Sequence, residues 1–66
     1  MYYTIVINEN ILDDKAQTHV ECVDSINDYI KSERLQSSLV TKNIIDNWLS
    51  RNLKSNKWNF INIVKN

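Results

Sequence analysis

Neither glycine nor proline occurs anywhere in this chain of 66 residues. Every reversal of direction must therefore be made by residues that carry a Cβ. Ten asparagines are present to do it, and Asn enters the left-handed backbone region more readily than most residues. Turns are therefore expected where Asn clusters, as at Asn8-Glu9-Asn10.

Between those turns the apolar residues fall into recognisable periods. Residues 2–7, Tyr2-Tyr3-Thr4-Ile5-Val6-Ile7, are all β-branched or aromatic and read as a strand. Both its faces are largely apolar, which predicts a central place in a sheet. A second strand is predicted at Thr18–Val23, where Val20 and Cys22 alternate with His19 and Glu21. Asp24 or Ser25 then serves as N-cap to a helix carrying Ile26, Tyr29 and Ile30 and ending near Arg34 or Leu35. Ser25 with Asp28 resembles a capping box. Gln36-Ser37-Ser38 breaks the chain, and Leu39 and Val40 are expected to fasten the link to the core. Thr41 caps the strongest helix, Lys42 to about Lys54, whose apolar stripe is Ile44, Ile45, Trp48 and Leu49, with Asn52 falling on its continuation. Ser55-Asn56-Lys57 turns into a last strand, Trp58 to Val64, with Trp58, Phe60 and Val64 on one face and Ile61 and Ile63 on the other.

The predicted architecture is a small single α+β domain over residues 1–66, in the order β-(β)-α-α-β. A two- or three-stranded antiparallel sheet packs against a helix-turn-helix-like pair, with the first and last strands paired. A chain this short buries only about 60% of its unfolded surface. Its core has little room for an enclosed substrate cavity, which argues against an enzyme. With 42% hydrophobic and 24% charged residues, the chain is too apolar for disorder.

Charge is sorted by position. Residues 1–33 hold seven acids (Glu9, Asp13, Asp14, Glu21, Asp24, Asp28, Glu33) against Lys15 and Lys31, a net of −5. Residues 34–66 hold six bases (Arg34, Lys42, Arg51, Lys54, Lys57, Lys65) against Asp46, a net of +5. Such asymmetry points to a polyanion, or to an oppositely charged protein surface, as partner. On the predicted second helix the side opposite the apolar stripe carries Asn43, Asp46, Asn47, Ser50 and Lys54, with Arg51 at its flank. Asn pairs with adenine through two hydrogen bonds, and Arg and Lys favour guanine or phosphate. Lys42, Asn43, Asn47, Ser50, Arg51, Lys54 and Lys57 are therefore the candidate nucleic-acid-binding residues, with Asp46 as the one group that opposes phosphate. The alternative is an ordinary solvated helix face.

Other chemistry is thinly represented. His19 and Cys22 have the spacing of two metal ligands, but the chain has no other His or Cys to complete a tetrahedral site. His19 is expected at the surface and Cys22 in the interior. Trp48, Trp58 and Phe60 are expected to supply core bulk rather than a base-stacking platform. Asp24 and Asp28 are expected to complement a helix N-terminus. No catalytic set, metal or cofactor is expected. No run of about 18 apolar residues predicts a membrane span. MYYTIVINEN has neither the basic region nor the small-residue cleavage site of a secretory signal. Together with the lone cysteine this predicts a cytoplasmic protein.

The stretch Ser25 to Ile63 resembles the modular DNA-binding segments found at the tails of some phage and intron homing endonucleases. The matching residues are Ser25-Ile26, then Ile44 with Trp48-Leu49, then Lys54 and Lys57 ahead of Trp58 and Phe60. The resemblance covers about 39 of the 66 residues. An alanine pair of the family pattern is replaced by Tyr29-Ile30, and its turn glycine is missing. Richness in Asn, Ile and Lys is also typical of AT-rich genomes, many belonging to phages or mobile elements. The expected function is thus that of a small helix-turn-helix-like regulator from such a source, binding double-stranded DNA, with pairing as a homodimer on half-sites open to it. The alternative is an inhibitor or adaptor of a host protein, whose acidic half imitates nucleic acid.

Overall fold

The first reversal is made by two residues with positive φ. A computed structural model describes residues 1–66, and in it β1 (Tyr3–Ile7) turns through Asn8 (φ 50°) and Glu9 (φ 70°) into β2 (Asn10–Ala16). Left-handed geometry at both central residues is that of a two-residue type I′ hairpin turn. Ile7 pairs with Asn10 and Val6 with Ile11, after which two register shifts bulge β2 before Ala16 meets Tyr3. β2 replaces the strand expected at Thr18–Val23. Asp13, Asp14 and Lys15 have poor strand propensity, so their extended form follows from pairing with β1.

Helix α1 runs His19–Ser32, starting well before the expected cap at Asp24 or Ser25. The sequence carries the reason in Thr18-His19-Val20-Glu21. Thr18 Oγ accepts from the Glu21 N–H at 3.1 Å, and its hydroxyl donates to the Glu21 carboxylate at 3.3 Å, one half of a capping box. Asp24 and Asp28 are consequently mid-helix, and Glu21 is the acid in the first turn. Ser25 instead donates to Asp13 Oδ2 at 2.7 Å, tying α1 to β2. Cys22, Ile26 and Ile30 face the core.

Residues 33–41 link the helices. Arg34 takes a positive φ of 51°. The Asn27 amide grips Val40 from both sides, accepting from its N–H at 2.8 Å and donating to its carbonyl at 2.9 Å. Trp58 Nε1 donates to the Ser38 carbonyl at 3.0 Å. Val40 is buried as expected, whereas Leu39 is exposed. Helix α2 runs Lys42–Arg51 under its Thr41 cap and stops short of Lys54, because Asn52 turns left-handed at φ 58°.

A short 3-10 turn, Asn56–Trp58, precedes β3 (Ile61–Lys65). The last strand thus begins later than Trp58, and Trp58 is buried from the turn. Ile61 and Ile63 reach the core while Val64 is exposed, so the face assigned to Val64 from sequence is the solvent face. The three strands are antiparallel in the order β2-β1-β3, with β1 central as its two-sided apolar pattern predicts. Thirteen side chains form one core. The molecule is the expected α+β domain, and no helix is long and apolar enough to cross a membrane.

Candidate nucleic-acid interface

Of the seven sequence-predicted residues, Asn43, Asn47 and Ser50 lie on the outward side of α2, and Arg51 lies at its flank. Ile45 and Trp48 are buried beneath the helix, and Ile44 and Leu49 flank them partly buried. Helical geometry then turns Asn43 and Ser50 directly outward, with Asp46 and Asn47 to either side and Arg51 at the flank beside Ile44. Asn43, Ser50 and Arg51 are exposed and Asn47 is half-buried. None of these four side chains has a hydrogen-bonding partner within the chain. Asn47 also lines an open groove of about 400 Å³ with Ile44, Asn52, Leu53, Lys54 and Ser55.

Two of the predicted cations are engaged inside the fold. Lys42 Nζ lies 2.9 Å from Asp46 Oδ2, one helical turn on. Lys54, past the end of α2, folds back: its ammonium sits 4.8 Å from the Trp48 ring centre and donates to the Ile61 carbonyl. It does not share the outward face of α2, because the left-handed residue at Asn52 ends the helical register first. Lys57 lies exposed in the 3-10 turn. Arg34, Arg51, Lys57 and Lys65 have no ion-pair partner, since the molecule's ion pairs involve only Asp46 with Lys42 and His19.

Asp46 is less of an obstacle to a polyanion than its formula suggests. Lys42 and His19 both hydrogen-bond its carboxylate and hold its pKa below the ordinary 3.8. An ionised carboxylate can only accept, so His19 Nδ1 carries the proton and donates to Oδ1 at 2.6 Å. His19 also sits edge-on to Tyr3, with ring centres 5.8 Å apart. Rather than standing free at the surface, it joins the start of α1 to the middle of α2. Sequence spacing gave no signal for this pair, whose members are 27 residues apart.

The acidic half is organised as well. Glu21, Asp24 and Asp28 are all exposed on α1, and their spacing places them on one side of the helix. Asp13 is set apart by the Lys15 N–H at 2.8 Å and the Ser25 hydroxyl, which lower its pKa below 3.8. Cys22 is buried, and desolvation, with Asp13 and Glu21 adding to it, pushes its thiol up to about 11. It is therefore protonated at neutral pH and poorly nucleophilic. No group of three His, Cys, Asp or Glu side chains is placed to hold a metal ion. A second open hollow, of about 470 Å³, lies against Tyr2, Asp14, Lys15 and Gln17. No family model, curated protein or solved structure matches this chain.

Proposed function

We propose that this domain binds duplex DNA through the outward side of α2. One observation carries the reading: Asn43, Asn47 and Ser50 face outward and Arg51 flanks them, all four without internal partners, while Asp46, the only carboxylate of the helix, is held by Lys42 and His19. With its side chains an α-helix is about 10–12 Å across, which fits a major groove about 12 Å wide. Asn43, in the first turn, occupies the position from which a recognition helix reads base edges. Arg51, in the last turn of α2, and Lys57, exposed in the 3-10 turn, are the phosphate contacts of this reading. The nine residues between Ser32 and Lys42 are more than the three or four of a compact helix-turn-helix, and the His19–Asp46 bond, rather than a tight turn, holds α2 to the first helix.

Fluorescence anisotropy with a labelled 20-base-pair mixed-sequence duplex at low salt tests the reading. Binding is expected below about 100 μM, the upper range of non-specific affinity. Arg51→Ala is expected to weaken binding to every sequence and to reduce the slope of log K against log salt by about 0.9. Absence of binding up to that concentration removes the proposal.

A second reading draws on the Glu21, Asp24 and Asp28 stripe, which would let α1 imitate phosphates and occupy a basic groove of a host protein. Its variant is a triple change to Lys at those positions. Asp13 is unsuitable as a control, because its reversal would also break the Ser25 link. If the triple variant captures the same host proteins from a lysate as the parent, the mimicry reading fails.

A further inference from the structure

The two edges of the sheet are unlike each other. β2 is bulged twice and carries Asp13, Asp14 and Lys15, features that blunt an edge against further pairing. β3 pairs with β1 through five consecutive residues without a register shift. Its hydrogen bonds fix which of its groups are free. Asn8 N–H donates to the Phe60 carbonyl at 3.2 Å, and Asn66 N–H to the Tyr2 carbonyl at 2.8 Å. An antiparallel ladder alternates, so Phe60, Asn62, Val64 and Asn66 point their backbone groups at β1. Ile61, Ile63 and Lys65 point theirs at the open edge. The placement of Lys54 agrees, since it reaches the Ile61 carbonyl from that side. The Ile61 N–H and both backbone groups of Ile63 and Lys65 are left facing outward with no strand beside them.

We propose that the β3 edge accepts an extended acidic segment of another protein as a fourth strand. Backbone pairing to Ile61, Ile63 and Lys65 supplies the attraction, as in strand addition generally. The chemistry of the guest follows from its borders. Lys54 stands at one end of the edge, with Lys57 in the turn leading to it, and Lys65 stands at the other. None of the three has a carboxylate partner, so acids at each end of the guest are favoured. Between those ends, the solvent face of the sheet offers Val64, 44% exposed, beside Thr4 and Asn62, where a β-branched or aromatic guest residue packs. A second copy is the poorer occupant. Antiparallel pairing of β3 with itself brings Lys54 and Lys65 of both copies along one seam, and like charges across a strand pair are destabilising.

The test is an amide NMR titration of the whole chain with the capped heptapeptide DVTVTVD, using KVTVTVK as the charge-reversed mate. DVTVTVD is expected to shift the amide signals of Ile61, Ile63 and Lys65 and to slow their hydrogen exchange by about tenfold. Asn62 and Val64 amides, already bonded to β1, keep their rates. KVTVTVK and a DVTVTVD N-methylated at its three central residues are expected to do neither. Lys65→Glu, an exposed change, is expected to weaken DVTVTVD binding about threefold. Equal effects of the two charge forms, or shifts without protection at these three amides, overturn the proposal. So does protection of the Ile63 amide in the peptide-free protein that rises with its concentration, which assigns the edge to a second copy. Duplex DNA is read at the signals of Asn43, Ser50 and Arg51 instead, so either proposal can fail while the other stands.

Discussion

Without glycine, the left-handed positions of this chain are taken by Asn8, Glu9, Arg34 and Asn52. Asparagine fills two of the four, as its abundance suggests, and the other two fall to residues with long side chains. Glu9 is the least suited of the hairpin pair, because a left-handed residue with a Cβ costs about 1–2 kcal/mol. Glu9→Gly creates the favoured Asn-Gly type I′ turn. Allowing for the extra chain entropy of glycine, we expect a gain of about 0.5–1 kcal/mol in urea unfolding. A loss of stability would show that the Glu9 side chain is held by something other than its backbone. Asp13 contributes to the acid response. The Lys15 N–H and the Ser25 hydroxyl lower its folded pKa beneath the ordinary 3.8. Its contribution to stability is therefore complete above that value and is lost as pH falls through the lower, folded one. Asp13→Asn is expected to lower stability at neutral pH and to flatten the fall below pH 3.8, in unfolding curves between pH 7 and 2. Identical acid slopes for parent and variant would remove this role.

Among the elements, α1 and α2 differ in how plainly the sequence announces them. Thr41 and the Ile44, Ile45, Trp48, Leu49 stripe mark α2 correctly at its start, and only its end is misjudged, because Asn52 looks like one more stripe residue. For α1, the Thr18-to-Glu21 signature was legible, but two alternating apolar residues, Val20 and Cys22, imitate a strand over the same stretch. β2 was hidden for a different reason. Its residues have no alternation of their own and are extended because the Asn8-Glu9 turn delivers them to β1. The linker depends on side chains that no periodicity reveals. Asn27 satisfies both backbone groups of the buried Val40, so Asn27→Ala leaves a donor and an acceptor unpaired. We expect a loss of about 2 kcal/mol, measured by urea or thermal unfolding. A change within about 0.5 kcal/mol would mean that water replaces the amide without penalty.

Across the whole molecule, strand order converts a charge division along the chain into a division in space. The chain enters the sheet at its centre, so acidic β2 and β3, with its one lysine Lys65, become opposite edges. The helices add the exposed acids of α1 and the largely uncharged outward side of α2. The six bases do not act as one set: Lys42 is neutralised by Asp46 and Lys54 closes the end of β3. Arg34, Arg51, Lys57 and Lys65 are left unpaired, and of these Arg51 and Lys57 are the ones proposed to meet a polyanion. A fall in salt slope of about 0.9 for Arg51→Ala, against little change for Lys54→Ala, is the pattern expected of that division. Equal slopes for the two variants would contradict it.

Local signals fixed what could be fixed locally: the central strand, the α2 cap and stripe, the turn at Asn8, and the polar run Asn43, Asn47, Ser50. Each depends on neighbours within a few residues, where propensity and periodicity act. Tertiary contact decided the rest. It made a strand of Asn10–Ala16, drew His19 and Lys42 onto Asp46, took Lys54 out of the helix surface, and left Ile61, Ile63 and Lys65 with backbone groups facing solvent. Those outcomes turn on which distant groups meet when the core closes, and a hydrogen bond between residues 27 apart leaves no period in the sequence to read.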